Sequence, residues 1–496
     1  MAGLNAEKAP NGEGNRESYA ARGLSLYISR RFDEALAAYE AGLQVAPHDV
    51  NLRNGRGVAL LELRRPAEAR DEFVRALAND PDCLDALGNL GNALLKLNRP
   101  DEALAAYDRA LKIVPNNAQL LTNRAVALRR LDRPHEALMS AARALAEKPD
   151  FAQARFVASV ARLTLGDFAA GWRGYEARWS VGALALQRRN FTAPQWRGAE
   201  PLAGKTILLH AEQGSGDSIQ FVRYAPLVAA RGAIVVLEVQ RELTRLCASL
   251  PGIAQVIARG DELPPFDCHC PLLSLPLAFA TDAATIPADV PYLAPPVPEA
   301  ATWRGRLPYG RPLIGLCWSG ARMHDNDLNR SMALETLVPL LDVPDVQFVS
   351  LQRDVREADA PLLAQRTGVV SIGQQFADFA DTAAAIAALD LVISVDTAVA
   401  HLAGALGKPL FLLLPFAADF RWLRERSDSP WYPTARLFRQ PRFGDWASTV
   451  EAVRDELLNQ FPHPEVLGAQ RRASKGEAPA PEQHPSRPAL RAGTSG

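Results

Sequence analysis

Two rhythms of apolar and polar positions divide this chain. In the first, small apolar residues, aromatics and prolines return in columns: Pro47, Pro81, Pro115 and Pro149 stand 34 residues apart, as do Ala35, Ala69, Ala103 and Ala137. Glu34, Glu68, Glu102 and Glu136 keep the same step, and four residues after the alanines come Tyr39, Phe73, Tyr107 and Ala141. Such columns predict antiparallel helix pairs. The small Gly23, Gly57, Gly91 and Ala125 let the helices approach, a ring fills the gap, and proline, which cannot donate a backbone hydrogen bond, ends the second helix. A degenerate fifth unit holds phase through Phe168, Gly171 and Tyr175, and its Trp172, Tyr175 and Trp179 fall on one helical face. Those rings either glue the array to the next domain or bind a ligand; packing is the expected role, because aromatic stripes mostly fill cores.

After Thr192-Ala-Pro-Gln-Trp196 the rhythm shortens to apolar runs alternating with helical stretches, the pattern of parallel βαβ units. Strands are predicted over 206–211, 234–239, 254–257 and 266–270, with helices over 219–231 and 242–250. The proline-rich segment 287–298 breaks the pattern and reads as a linker. It restarts with strands over 313–318, 346–351, 369–372, 391–395 and 410–414, and helices over 334–341, 382–389 and 398–406. A closing helix carries Val450, Val453, Leu457 and Leu458 and ends before Pro462. The expected organisation is a disordered N-terminus (1–15), a repeat array (16–185), a first α/β lobe (186–300), a second (301–463) and a disordered tail (464–496).

Composition narrows the partners. Lys plus Arg (55) balances Asp plus Glu (56), so no global field points to nucleic acid or an anionic membrane. Cys83, Cys247, Cys268, Cys270 and Cys317 are few and odd in number, which suits reduced thiols. Residues 1–16 lack the apolar core of a signal peptide, and no apolar run is long enough to span a bilayer. A cytoplasmic location is expected.

In doubly wound α/β units ligands sit at the carboxyl ends of strands, so the chemistry is sought there. The run Leu391-Val-Ile-Ser-Val395 ends in Asp396 and Thr397, where a side chain can cap the following helix and where free N–H groups and the helix dipole favour phosphate. After the first strand comes His210-Ala-Glu-Gln-Gly-Ser-Gly-Asp217; Gly214 and Gly216 permit close backbone approach, and Asp217 or Ser218 stands where a helix cap would be. Glu212, two residues before Gly214, is a second carboxylate in this turn. After the strand at 313–318 a polar loop carries Arg322 and Arg330, both suited to phosphate oxygens. Asp325-Asn-Asp327 in that loop has the spacing of a metal-binding pair, but its arginine flanks suit phosphate better. Cys268-His-Cys270 lacks a second ligand pair and reads as strand packing. Asp419 follows a strand end and is a candidate for a ribose or sugar, whereas Trp422 and Trp431 are expected to pack.

The columns of the first part resemble the tetratricopeptide repeat in period and in the alanine, aromatic and proline signature. That resemblance implies a superhelix with a concave face that binds a peptide or protein. The second part resembles glycosyltransferase family 9. Val395-Asp-Thr-Ala-Val-Ala-His-Leu-Ala-Gly-Ala-Leu-Gly407 is similar to that family's nucleotide-sugar loop, and Gly214-Ser-Gly-Asp217 to its Gly-Asp turn. In plan the whole resembles fusions of such repeats to glycosyltransferases, O-GlcNAc transferase among them.

This resemblance, which covers about residues 200–460, implies a GT-B fold of two Rossmann-like lobes behind the helical solenoid. It also implies inverting, metal-independent transfer from a nucleotide-diphosphate sugar, with no further cofactor. Asp217 would be the base, and Gly214 and Gly216 would lie against substrate. Asp396, Thr397, Ala398 and His401 would receive the diphosphate, with Arg322 and Arg330 offsetting its charge. His401 taken alone would more often be a structural histidine. No heptose-specific constellation is present, so the donor sugar stays open. A repeat scaffold with a catalytically retired nucleotide-binding module is the alternative.

Overall fold

The computed structural model describes residues 12–324 and 326–461. Among them, ten helices form the array: α1 (Gly12–Ile28), α2 (Phe32–Val45), α3 (Val50–Glu62), α4 (Pro66–Asn79), α5 (Leu84–Lys96), α6 (Pro100–Ile113), α7 (Ala118–Arg130), α8 (Pro134–Glu147), α9 (Ala152–Thr164) and α10 (Phe168–Tyr175). The first begins inside the stretch expected to lack order, and the expected tail 464–496 lies outside the described residues.

Each column now has a physical cause. A Cβ at Gly23 would sit 2.5 Å from the Tyr39 ring, and one at Gly57 or Gly91 would press closer still into Phe73 or Tyr107. In the fourth repeat the ring is absent, and Ala125 and Ala141 are both fully buried. The spare volume of one partner is thus matched to the size of the other. The glutamate column pairs bidentately with arginines that precede each second helix, Arg31 with Glu34, Arg65 with Glu68, Arg99 with Glu102 and Arg133 with Glu136. Arg30, Arg64, Asn98 and Asp132 hold left-handed backbone (φ 60°, 58°, 57° and 52°) at the turns within each pair, so these turns align along one edge of the array.

Two parallel sheets come next. Strands β1 (Thr206–His210), β2 (Ile234–Val239), β3 (Ile253–Ala258) and β4 (Cys268–Pro271) run in the order β3-β2-β1-β4. Strands β5 (Leu313–Cys317), β6 (Gln347–Ser350), β7 (Val369–Ser371), β8 (Leu391–Val395), β9 (Leu410–Leu414) and β10 (Ala435–Arg439) run β10-β9-β8-β5-β6-β7. All pairings between these strands are parallel. The order turns back between β1 and β4 in one sheet and between β5 and β8 in the other, and such switch points open a crevice at the strand ends.

Several expected elements are corrected. The helix placed over 219–231 starts earlier, as Ser215–Phe221, and breaks through a 3-10 turn into Ala225–Ala229, where Pro226 donates no hydrogen bond. The helix over 242–250 shrinks to a 3-10 turn and Thr244–Cys247. Strand β10 and helix Val297–Arg306, which straddles position 300, had no signal strong enough to place them.

The array is built into the α/β part. Val160, Leu163, Phe168, Trp172 and Tyr175 share one core with residues of both sheets. Trp172 meets Phe221 edge-on at 6.3 Å and Phe420 at 5.7 Å, so Trp172 and Tyr175 pack as expected, whereas the helix ends at Tyr175 and the third ring, Trp179, falls half-buried in a following 3-10 turn. Arg178, fully buried, forks onto Glu212 with two bonds of 3.0 Å. The linker is held between the lobes: Tyr292 donates its backbone N–H to Ala405 at 3.0 Å and its hydroxyl to the Ile219 carbonyl at 2.9 Å. No described helix is long and apolar enough to cross a membrane.

Candidate functional site

A cleft of about 680 Å³ lies between the two lobes and is lined from both. Gly214 comes from the turn after β1, with Gly216 and Asp217 in the first turn of helix Ser215–Phe221; Arg330 comes from the segment after β5, Asp396 and Thr397 from the turn after β8, and Ala398 and His401 from the helix that follows it. Gly216 is one meeting point. A Cβ there would lie 3.0 Å from His401 Cδ2 and 3.4 Å from the Ala398 Cα, tight enough that the His401 ring would have to give by a few tenths of an ångström. The motifs picked out separately in the sequence are opposite faces of one site.

The turn after β8 leaves its helix open. Thr397 is extended at the N-cap (φ −141°, ψ 173°) but makes no capping bond to helix Ala398–Ala405. Its hydroxyl turns inward instead, 3.2 Å from Ser394 Oγ and 3.8 Å from Cys317 Sγ. The expectation that a side chain caps this helix is corrected, and the start of the helix, with the positive end of its dipole, lines the cleft. Arg330 braces the turn by donating to the Asp396 carbonyl at 3.0 Å.

Arg322 is not brought to the cleft. It is exposed and lines a separate depression with Asp327 and Arg356. Asp325 lies outside the described residues, and Asp327 gives one oxygen to Ser331 at 2.6 Å and the other to Arg356 at 2.7 Å. Among the described residues no cluster of three or more histidines, cysteines or carboxylates could hold a metal. Cys268, His269 and Cys270 sit buried in β4, with His269 Nδ1 3.2 Å from His210 Nε2.

Asp217 is a cap and more. One oxygen accepts the Gly214 N–H at 3.0 Å, and the other is paired with Arg421 of the opposite lobe. The rival Glu212 is withdrawn: it is 2% exposed, forked by Arg178 and bonded to the Leu273 N–H at 3.1 Å. Burial pushes its carboxyl up, against the pull of Arg178.

Arg421 is the residue sequence reasoning missed. Buried at 7% exposure, it donates to Asp419 at 2.8 Å and to Gln220 at 2.5 Å besides Asp217, and so bridges both lobes. The available signal was Asp419, chosen for its strand end, with an arginine two residues on. Burial works against the charge of Asp419, but Arg421 and its backbone N–H hold that carboxyl below the usual range.

Burial, and next the charge of Asp419, push the Asp396 carboxyl up to about 6. Burial, and next Arg421, bring His401 down to about 3, so its ring is neutral at physiological pH. His401 Nδ1 meets the Tyr432 hydroxyl at 3.0 Å, Nε2 lies 3.7 Å from Asp396, and the ring stacks on Trp422 at 5.4 Å. Trp422 and Trp431 are fully buried and pack.

Comparison with known proteins gives the type of the array. The sequence profile of the tetratricopeptide repeat matches residues 20–77 and 59–118, and the N-terminal array is of that type. Protein FlbA of Caulobacter vibrioides is 28% identical over 332 residues, 62% of this chain and 55% of that protein. The chain thus spans about half the length of this curated relative. Among solved structures, Pseudomonas aeruginosa PilF is 17% identical (TM-score 0.32), over 35% of this chain and 78% of its own. A thermophilic repeat protein of Thermus thermophilus, TTC0263, is 22% identical (TM-score 0.31), over 33% of this chain and 90% of its own.

Proposed function

We propose that the cleft binds a nucleotide-diphosphate sugar and transfers the sugar, with inversion and without a metal, to a protein or glycan acceptor brought by the repeat array. In this reading the two α/β lobes are a GT-B pair. The observation that carries it is the approach of the Gly214-Ser-Gly-Asp217 turn to Ala398 and His401 across the lobes, at the ends of β1 and β8.

Asp217 takes the proton of the acceptor hydroxyl as its oxygen bonds to the anomeric carbon, while the bond from that carbon to the diphosphate breaks. The N–H groups at the start of helix Ala398–Ala405 receive the departing diphosphate, and Arg330 and Arg421 offset its charge. Neutral His401 serves as a hydrogen-bonding group and not as a cation. The concave face of the array is where a peptide would dock.

One observation favours a second reading, an adaptor whose module binds nucleotide without turnover: both Asp217 oxygens are already engaged. Transfer and hydrolysis assays over UDP-, GDP-, ADP- and CMP-sugars, with Asp217→Ala as control, separate the two. Turnover that falls at least ~100-fold in the variant supports the base, whereas a fully active variant removes Asp217 from that role. A nucleoside diphosphate at ~100 times its dissociation constant should stabilise the chain by about 2.7 kcal/mol. Binding without turnover selects the adaptor; no binding across the panel rejects both.

A further inference from the structure

Residues 419–424 touch the cleft and the repeat array at once. Asp419 and Arg421 line the cleft, and Trp422 lies almost flat on His401. Phe420 turns the other way, edge-on to Trp172 at 5.7 Å and to Tyr175 at 6.0 Å on α10. Arg424 reaches Asp132, in the turn between α7 and α8, at 3.1 Å. Arg129 at the end of α7 is near enough to Asp419 for the two charges to act on each other.

The backbone that produces this alternation is held in an unfavourable place. Leu423 stands at φ 50°, ψ −161°, a combination otherwise kept to glycine, and Glu425 at φ 53°. A side-chain-bearing residue persists there only when its surroundings fix it. Here Phe420, Arg421 and Trp422 are 3%, 7% and 0% exposed, gripped by the array on one side and the cleft on the other.

We propose that the array sets the clasp between the lobes: through Phe420 and Arg424 it fixes where Arg421 meets Asp217, which makes Phe420 a positioning residue that acts through Arg421. Hydrogen-bond geometry decays steeply with displacement, so a small shift of the segment is enough to slacken the clasp. Shortening Phe420 opens a void beside two rings and lets the strained segment relax into it. The array is then a component of the site as well as a recruiting arm. This inference rests on the transferase reading only for the word site; the clasp exists, and is testable, without ligand.

Hydrogen exchange on the full chain, free of ligand, tests it by following helix Ser215–Phe221, which carries Asp217. Phe420→Ala should speed exchange there about tenfold and Phe420→Leu should restore it. The double variant with Arg421→Gln should exchange no faster than Arg421→Gln alone, because the first substitution acts through the second position. A change confined to 168–175 and 419–424, or two single effects that simply add, would overturn the proposal. Asp132→Asn, in the turn between α7 and α8 and outside the aromatic contact of Phe420, gives an independent reading should Phe420→Ala fail to fold. A smaller acceleration of the same helix supports the coupling, and the native rate rejects it. A silent nucleotide panel beside an intact coupling would sink both readings of the cleft and leave the coupling standing.

Discussion

The array and the cleft are built by opposite rules. In the array one contact is made again and again: Gly23 on Tyr39, Gly57 on Phe73, Gly91 on Tyr107, with small residues at both positions in the fourth repeat. In the cleft each contact is made once, as when Arg421 reaches Asp217 from 204 residues away. Repetition writes a contact into the sequence as a column; a contact made once leaves no such trace. The difference also predicts how each region breaks, locally in the array and across lobes in the cleft.

The hardest blow falls where the two meet. Arg178→Met strands the buried Glu212 carboxylate and should cost about 3–5 kcal/mol in denaturant unfolding. Replacing Glu212 by leucine as well should recover most of that. A single variant as stable as the native chain would mean that this pair does not hold the joint.

Next comes a test of the array's rule. Gly91→Ala drives a methyl group into the Tyr107 ring and should cost about 1–3 kcal/mol. Tyr107→Ala on that background recreates the Ala125 and Ala141 arrangement and should return part of the loss. Two penalties that add would show that the columns are independent.

A smaller effect probes the cleft. Asp396 is neutral below about 6 and anionic above it. Affinity for a nucleoside diphosphate, measured by calorimetry, should therefore fall about three- to tenfold as pH rises through that value. Asp396→Asn should flatten the profile; an unchanged slope would place the diphosphate away from this carboxyl. Smallest of all, Arg133→Ala removes an exposed pair with Glu136 and should leave the melting temperature unchanged, although the column it belongs to is among the most regular in the sequence. A clear drop would show that these surface pairs act as a network.

Much of the site was legible because glycine and helix-start chemistry are local. Gly216 and the turn after β8 stood out by their places after strands and by the family resemblance, and they do meet. Arg322 and Arg330 show the limit. They share a loop and a charge, yet one faces solvent and the other braces Asp396, and which way a loop residue faces depends on what the loop lies against. Here Met323 meets Arg64 and the Leu328 carbonyl meets Asn98, each at 3.5 Å, so the array's turn edge lies along the outer side of that loop. Glu212 looked as available as Asp217 until Arg178, from beyond the last repeat, proved to cover it.

The sequence by itself determined the repeat array, the alternation of strand and helix, and the two strand-end turns that line the cleft. Each of these follows from the conformational preferences of neighbouring residues or from a contact repeated at a fixed step. Tertiary structure alone decided which carboxylate faces the cleft, which arginine serves it, and that Arg421 joins the lobes under the grip of the array. Those outcomes turn on which charges lose water and which partners replace it, and that balance is struck between segments far apart in the chain.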